Sequence, residues 1–306
     1  MPLYNAEKYV SDAIKSVLEQ TYDYFEFIIV DDRSNDRSKN IVHSFNDERV
    51  VLIENDSNKG VAEARNSALR IANGRWVAVI DADDVWLPRR LEKLINMLNN
   101  DTQNFFIADN QLLCFDSPEG LKPWRPLINN KTGIVFDNNI SILCLSDYIR
   151  FGAPGIHPVF PLKPIKENGL LYNRKYEPSE DFEFHCNIFR IGLKLMLLNE
   201  SYYLYRLSPG SVTSKEPKES GLIAVKDLIM KDSFSKEDLK VLSIHKLKVE
   251  REFKYKTFTY NLRKKKFLNA FKLGFNNPIV IALLILRIPL SLKYRLKALI
   301  LGGYIK

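Results

Sequence analysis

Two short apolar runs in the first third of the chain stop abruptly at carboxylates. "FEFIIV" (25–30) runs into Asp31 and Asp32, and "RWVAVI" (75–80) runs into Asp81, Asp83 and Asp84. Runs of this length, bounded by polar turn residues, read as strands. Between and around them lie segments with helical spacing. "AEKYVSDAIKSVLEQ" sets Tyr9, Ala13, Ile14, Val17 and Leu18 on one face, "SKNIVHSF" can form a helix, and the alanine-rich "GVAEARNSALRIANG" has Gly74 placed as a stop. A further strand is read at "RVVLIEN" (49–55), and Pro88 sits where a first helical turn would begin. Strands alternating with helices imply βαβ units, hence an α/β fold with a mostly parallel sheet. Ligands of such sheets bind beyond the carboxyl ends of the strands, so both acid clusters are expected to line one crevice.

The 306 residues, 45% of them hydrophobic, are enough to bury a large core. Three scattered cysteines (Cys114, Cys144, Cys186) with no CxxC spacing read as free thiols of a reducing compartment, a cytosolic face. The opening "MPLYNAEKYV" lacks the apolar core of a signal peptide, and no run of 18 apolar residues offers a transmembrane helix. Charge is divided unevenly. Residues 246–306 hold 15 Lys and Arg against two acids, while the preceding residues hold the other 30 bases and 35 acids. The stretch "PIVIALLILRIPLSLKYRLKALILGGYIK" is apolar but broken by Arg287 and Pro289. It suits a basic amphipathic segment lying on an anionic membrane surface, or a helical pair packed on the main domain.

Chemistry concentrates at three acidic places. Asp81-Ala82-Asp83-Asp84 is a D-x-D at a strand end, a pattern that suits a hard divalent cation, Mg²⁺ or Mn²⁺, sharing its coordination with substrate phosphates. The bland alternative is a solvated acidic turn. Asp31-Asp32 could accept from a nucleobase edge or simply form a turn. Glu180 and Asp181 follow Pro178 and Ser179, a plausible N-cap, and fall in the first turn of a helix. There a carboxylate stays ionised and can act as general base, or merely complement the helix dipole. Arg65, on the helix before the third strand, could meet a diphosphate. The four histidines show no metal spacing and are read as surface or satisfied residues. Only His157, in the Pro/Gly-rich "FGAPGIHPVFPLKP", stands out. Gly-rich phosphate loops are absent, which disfavours ATP- and NAD-type sites.

Together, "PLYNAEKYVSDAIKSVLEQTYDYFEFIIVDDRSND", "NKGVAEARNSALRIANGRWVAVIDADDVWLPRRLEKL" and "PSEDFEF…YRLSPGSVT" resemble family 2 glycosyltransferases of the GT-A fold, in the expected order over about two thirds of the chain. Within that family the chain looks most like bacterial enzymes that build exopolysaccharide, capsule or surface glycans. The resemblance implies a role for each matching residue. Pro2 and Tyr4 contact the nucleotide, Asp32 the base, and Arg65 lies near the nucleotide. Asp83 serves ribose and metal, and Asp84 is the direct metal ligand with Asp81 in support. Asp181 is the catalytic base, with Glu180 beside it. It further implies inverting transfer from a nucleotide-diphosphate sugar, with a UDP-sugar expected, to a glycan or lipid-linked acceptor at the inner membrane surface, with Mn²⁺ or Mg²⁺ and no nucleic acid. The family pattern opens with an apolar strand ahead of P-x-Y-N. This chain starts at "MPLYN", so that strand is missing from it: either the start is truncated or misassigned, or the sheet is built without it.

The organisation expected is a catalytic domain over 1–215, with a nucleotide half (1–103) and an acceptor half (104–215), followed by a helical basic region over 216–306. Two other readings are open. "VAVIDADDVW" also resembles the D-x-D of haloacid-dehalogenase-like phosphatases, with Asp81 and Asp83 in the reacting pair. Alternatively the chain is a non-catalytic, membrane-docked module of a glycan assembly complex.

Overall fold

The computed structural model describes residues 1–99, 104–129, 132–207, 217–231, 233–264, 266, 269 and 273. The "SPGSVT" stretch and residues 275–306 of the expected membrane segment lie outside them. In chain order the elements are β1 (Pro2–Leu3), α1 (Val10–Leu18), β2 (Phe27–Asp31), α2 (Ser38–His43), β3 (Val50–Glu54), α3 (Val61–Ile71), β4 (Trp76–Ala78), β5 (Val85–Trp86), α4 (Arg90–Asn99), β6 (Phe105–Ser117), β7 (Gly120–Pro126), β8 (Ile140–Leu143), α5 (Leu145–Arg150), β9 (Val159–Pro161), α6 (Leu162–Glu167), α7 (Glu180–Arg190), β10 (Lys194–Arg206), α8 (Ser220–Ile229) and α9 (Lys236–Arg263).

The strands form two sheets, β1-β2-β3 and β4-β9-β6-β10-β5, with β7 added on β6 and β8 on β10. Parallel pairing joins β1, β2 and β3, and also β6 to β10; the other ladders are antiparallel. All five residues of β2 are buried, as expected of a strand covered on both faces. The run 75–80 is a strand only over Trp76–Ala78, because its partner β9 offers just three residues. Gly74 is not the stop of α3, which ends at Ile71. Instead the Asn73 and Gly74 amides donate to Glu26 Oε1 at 2.6 and 3.0 Å.

Gly60 opens α3 with φ +91, and a Cβ there would lie 2.5 Å from Glu177 Oε1. That close approach lets Glu177 Oε1 accept from the Ala62 amide at 2.9 Å, satisfying one of the otherwise unpaired N–H groups at the helix start. Across the main core, Phe106, Phe184, Phe189, Leu195 and Leu197 are buried with Val225 and Leu228 of α8 and Leu242 of α9. The region beyond 216 thus contributes to the same buried cluster as β6, α7 and β10.

His185 of α7 is buried against Phe106 and Tyr148, its Nδ1 3.2 Å from the Tyr148 hydroxyl, and burial pushes it down to about 4. Such a group stays neutral when folded but takes a proton near 6.5 when unfolded. Its contribution is therefore complete above about pH 6.5 and is lost as pH falls towards 4, amounting to about 2 kcal/mol at pH 5. His245, also pushed down to about 4 by burial, acts in the same direction. The buried carboxylates Asp83 and Glu180, whose burial pushes them up to about 6 and 7, act oppositely. The informative measurement is therefore a difference. Between pH 7.5 and 5, wild type should lose about 2 kcal/mol more stability than His185→Gln in urea titrations. Equal losses would mean that His185 is protonated alike in both states.

Candidate active site

The Asp81–Asp84 segment is a tight turn, closed by the Asp84 amide donating to the Asp81 carbonyl at 3.1 Å. The fold then sorts its three carboxylates. Asp84 is 1% exposed; its Oδ2 accepts from the Tyr203 hydroxyl at 2.7 Å and its Oδ1 from the Arg206 amide at 2.8 Å. Burial, and then the charge of Asp83, push it up to about 8. Asp83 is pushed up to about 6, by burial and then by Asp81. Burial would raise Asp81 too, but the Arg65 guanidinium and His157 hold it well below the usual carboxylate range. The turn is clamped from outside by Arg206, whose Nε donates to the Asp83 carbonyl at 2.7 Å and whose other nitrogens meet Asp12 and Asp116.

Arg65 is the centre of the site. Nη2 donates to Asp81 Oδ1 at 2.8 Å, and Nη1 donates to Glu180 Oε1 at 2.8 Å and Asp181 Oδ1 at 2.5 Å. The guanidinium lies over the Tyr172 ring, 5.3 Å from its centroid. One buried cation thus ties the acid turn after β4 to the first turn of α7. The sequence leaves Arg65 either near a diphosphate or solvated on its helix; in the structure it is buried among three carboxylates. Three carboxylates crowd this place, and a buried cation between them is what keeps their charge tolerable. Glu180 is buried, its Oε2 has no hydrogen-bond partner among the described residues, and burial followed by the charge of Asp181 pushes it up to about 7. Asp181 differs: 37% of its side chain is exposed, so one carboxylate of the pair can reach a substrate. Ser179 does occupy the N-cap position of α7, but its side chain makes no capping hydrogen bond.

His157, read from sequence as a surface or satisfied residue, enters the site. It is buried, stacked on Tyr203 with centroids 4.6 Å apart, and its Nε2 lies 3.3 Å from Asp81 Oδ2. With the Gln111 amide oxygen turned towards the ring, Gln111 accepts from Nδ1 at 2.8 Å and donates to the Gly155 carbonyl. That places a proton on Nδ1, so that Nε2, which the hydrogen bond to Asp81 keeps protonated in the metal-free site, is the nitrogen that would give up its proton to become a metal ligand. Asp81, Asp84 and His157 each offer a ligand atom, and these atoms lie within 4.8 Å of one another. The group contains Asp84, as expected, but pairs it with Asp81 and His157 rather than Asp83. Two carboxylates and an imidazole, one carboxylate driven towards protonation for want of charge compensation, fit a divalent cation.

The remaining expected residues sit at the ends of β1 and β2. Pro2 pairs opposite Val30, and Tyr4 just beyond β1 is 48% exposed. Asp32 is 3% exposed, and its oxygens accept from Asn55 Nδ2 at 2.8 Å and from the Lys59 and Gly60 amides at 2.9 and 2.8 Å. It organises the loop entering α3 and makes no direct bond to the Arg65 cluster among the described residues. Tyr203, Arg206 and Gln111 were not singled out from sequence. Only Arg206 carried a signal, as part of "YRLSPGSVT".

Residues 1–144 match the family model described as glycosyl transferase family 2. The Escherichia coli UDP-Glc:alpha-D-GlcNAc-diphosphoundecaprenol beta-1,3-glucosyltransferase WfaP is 30% identical over 223 residues, covering 71% of this chain and 79% of that protein. WfgD of Escherichia coli, whose name states the same activity, is 41% identical over 113 residues, covering 37% of this chain and 45% of its own length. Among solved structures, Staphylococcus aureus TarS 1–349 in complex with UDP-GlcNAc superposes with a TM-score of 0.63 over 85% of this chain and 71% of that one, at 20% identity. The shared fold is GT-A. The phosphatase reading of Asp81 is displaced by these matches and by the Arg65 and His157 contacts that occupy its carboxylate.

Proposed function

Since the chain belongs to glycosyltransferase family 2, we propose that it moves a sugar from a uridine-diphosphate donor to a hydroxyl of a lipid-linked acceptor, with inversion, in bacterial surface-glycan synthesis. The observation that carries this is the Arg65 bridge, which holds the half-exposed Asp181 beside the carboxylates of the acid turn. Asp181 takes the proton of the acceptor hydroxyl, and that oxygen attacks the anomeric carbon. The bond from that carbon to the diphosphate oxygen breaks with the electrons on the departing nucleotide, so a single displacement inverts the centre and needs no protein nucleophile. Asp81, Asp84 and His157 are suited to hold Mn²⁺, or Mg²⁺, and the nitrogen ligand favours Mn²⁺. When bound, the cation supplies charge compensation for the diphosphate. Asp83, with its less buried carboxylate, is assigned to the ribose, while exposed Tyr4 and the adjoining Pro2 and Asp32 frame the nucleobase side. Glu180 stays behind Asp181 and tunes it through the shared Arg65.

The test is donor binding and turnover by the purified chain with a panel of UDP-sugars and Mn²⁺. At least one donor should bind with release of UDP, and chelator or Asp84→Ala should reduce binding by tenfold or more. No binding of any UDP-sugar in the presence of Mn²⁺ overturns the assignment.

No helix among the described residues is long and apolar enough to cross a membrane. The proposed membrane contact is instead the outer face of α9. Ile244 and Leu247 are each 60% exposed there, and Lys236, Lys240, Lys248 and Arg251 are exposed on the same helix. Apolar groups flanked by long cationic side chains suit the inner-leaflet surface, where lipid-linked acceptors reside. Co-sedimentation with anionic vesicles should fall severalfold in Ile244→Glu/Leu247→Glu, with soluble donor binding unchanged. Unaltered sedimentation removes α9 from the membrane contact.

A further inference from the structure

Helix α9 carries lysines at Lys236, Lys240 and Lys248, with Ile244 completing the four-residue spacing. Residues four apart stack along one face of a helix, so these side chains form a single row about 18 Å long. The neighbouring row holds Glu237, Val241 and His245. Val241 packs into the same core cluster as Ile149 of α5, and Glu237 is paired with Arg150 at the end of α5. Between the two helices lies a groove of about 630 Å³. Its buried lining is Ile149 and Val241, and its exposed lining includes Arg150, Ile244 and the three lysines.

A row of lysines on a surface helix is ordinarily a solvated face. Two observations set this one apart. The first is charge. Among the described residues Glu237 is the only acid lining the groove, and it already faces Arg150. The three lysines have no carboxylate partner there, whereas Lys254, further along the same helix, pairs with Glu250 at 2.8 Å. Like charges gathered in one concave place repel each other, and a bound anion relieves that repulsion. The second is position. His245 stacks on Phe182 of α7 with centroids 5.3 Å apart, and Phe182 directly follows Asp181. At Gly152, φ +92, a Cβ would lie 3.3 Å from Lys248 Nζ, so the loop that leads to His157 passes close under that ammonium. The groove therefore borders both pieces of chain that deliver Asp181 and His157 to the proposed active site.

We propose that the groove between α5 and α9 binds the diphosphate of the lipid-linked acceptor, with Lys236, Lys240 and Lys248 facing its phosphates. Three ammoniums without carboxylates favour a ligand that carries more than one negative charge. Ile244 and Leu247, each 60% exposed beside them, suit the apolar chain attached to such a ligand. A diphosphate with a sugar on one side and a lipid on the other meets both demands, its sugar end towards Phe182 and Asp181 and its lipid end over α9. A membrane phospholipid with a single phosphodiester charge meets the second demand but not the first. The inference rests on the lipid-linked acceptor of the function proposed above, and its test needs neither donor, metal nor turnover.

The experiment uses the full chain with chelator present, so that no metal draws the probe to the Asp81–Asp84 turn. Farnesyl diphosphate, kept below the concentration at which it forms micelles, is titrated by calorimetry and compared with farnesyl monophosphate. Short-chain dihexanoylphosphatidylglycerol serves as a soluble phospholipid competitor. Saturable binding of the diphosphate, at least tenfold weaker binding of the monophosphate, and a tenfold or greater loss of diphosphate affinity in Lys240→Ala/Lys248→Ala are expected. Equal binding of monophosphate and diphosphate would make the groove a site for any anionic headgroup and overturn the proposal. Displacement of the diphosphate by an equal concentration of the phospholipid would do the same, as would unchanged affinity in the variant or absence of saturable binding. Binding of UDP-sugars with Mn²⁺ is measured separately on both proteins. Its failure beside intact farnesyl diphosphate binding falls on the donor assignment, and the reverse pattern falls on the groove alone.

Discussion

Replacing Arg65 by methionine is expected to destabilise the fold by about 3–5 kcal/mol and to abolish transfer. Methionine fills much of the volume, so the loss is electrostatic. Asp81, Glu180 and Asp181 keep their positions at the β4 turn and the start of α7 but lose the cation that they share. Each is then a carboxylate facing other carboxylates, and protonation becomes the cheapest relief. This carries a sign that a packing defect would not. In the variant these carboxylates titrate higher folded than unfolded, so its loss of stability relative to wild type should shrink as pH falls from 8 to 5.5. Arg65→Lys should recover part of the stability but little of the activity, because one ammonium cannot replace two nitrogens directed to Asp81 and Glu180 separately. Urea titrations at the two pH values check this. A loss for Arg65→Met under 1 kcal/mol, or one that does not change with pH, would show that the cluster is not held by the guanidinium.

Asp181→Asn is expected to lower the transfer rate by about 10²–10⁴-fold while changing donor affinity less than threefold. The amide keeps the size of the carboxylate and can face Arg65 with its oxygen, but it cannot accept the acceptor's proton. Glu180→Gln separates the two members of the pair. Glu180 is 4% exposed and lies behind Arg65, so its substitution should act by altering Asp181 rather than by removing a proton acceptor. The expected result is a smaller rate loss with a displaced pH–rate profile. Single-turnover transfer and calorimetric donor binding on the two variants decide the matter. If Glu180→Gln loses more than Asp181→Asn, the base is Glu180 and its pKa of about 7 is the functional one.

Much of the fold was legible because its causes are local. The short apolar runs at 25–30 and 49–55 became β2 and β3, and the alternation of elements through α4 follows the hydrophobic spacing. Strand length was less legible: Val79 and Ile80 are as apolar as Val77, yet β4 ends at Ala78 because β9 has nothing further to pair with it. In the site, the sequence pointed to Asp84, Asp181 and Arg65. It did not show that Arg65 bridges Asp81 to Glu180 and Asp181, or that His157 approaches Asp81.

The sequence by itself determined that aspartates are loaded at the end of an apolar strand, and a group of like charges there requires a cationic partner. Which cation serves was decided only by tertiary structure. Arg65 reaches Asp81 across 16 residues but Glu180 and Asp181 across 115 and 116, and His157 reaches Asp81 across 76. Periodicity fixes which face of a helix is buried. Which charged atoms then meet depends on how α3, α7 and the loop before β9 pack around the end of β4, and that is set by contacts distant in the chain.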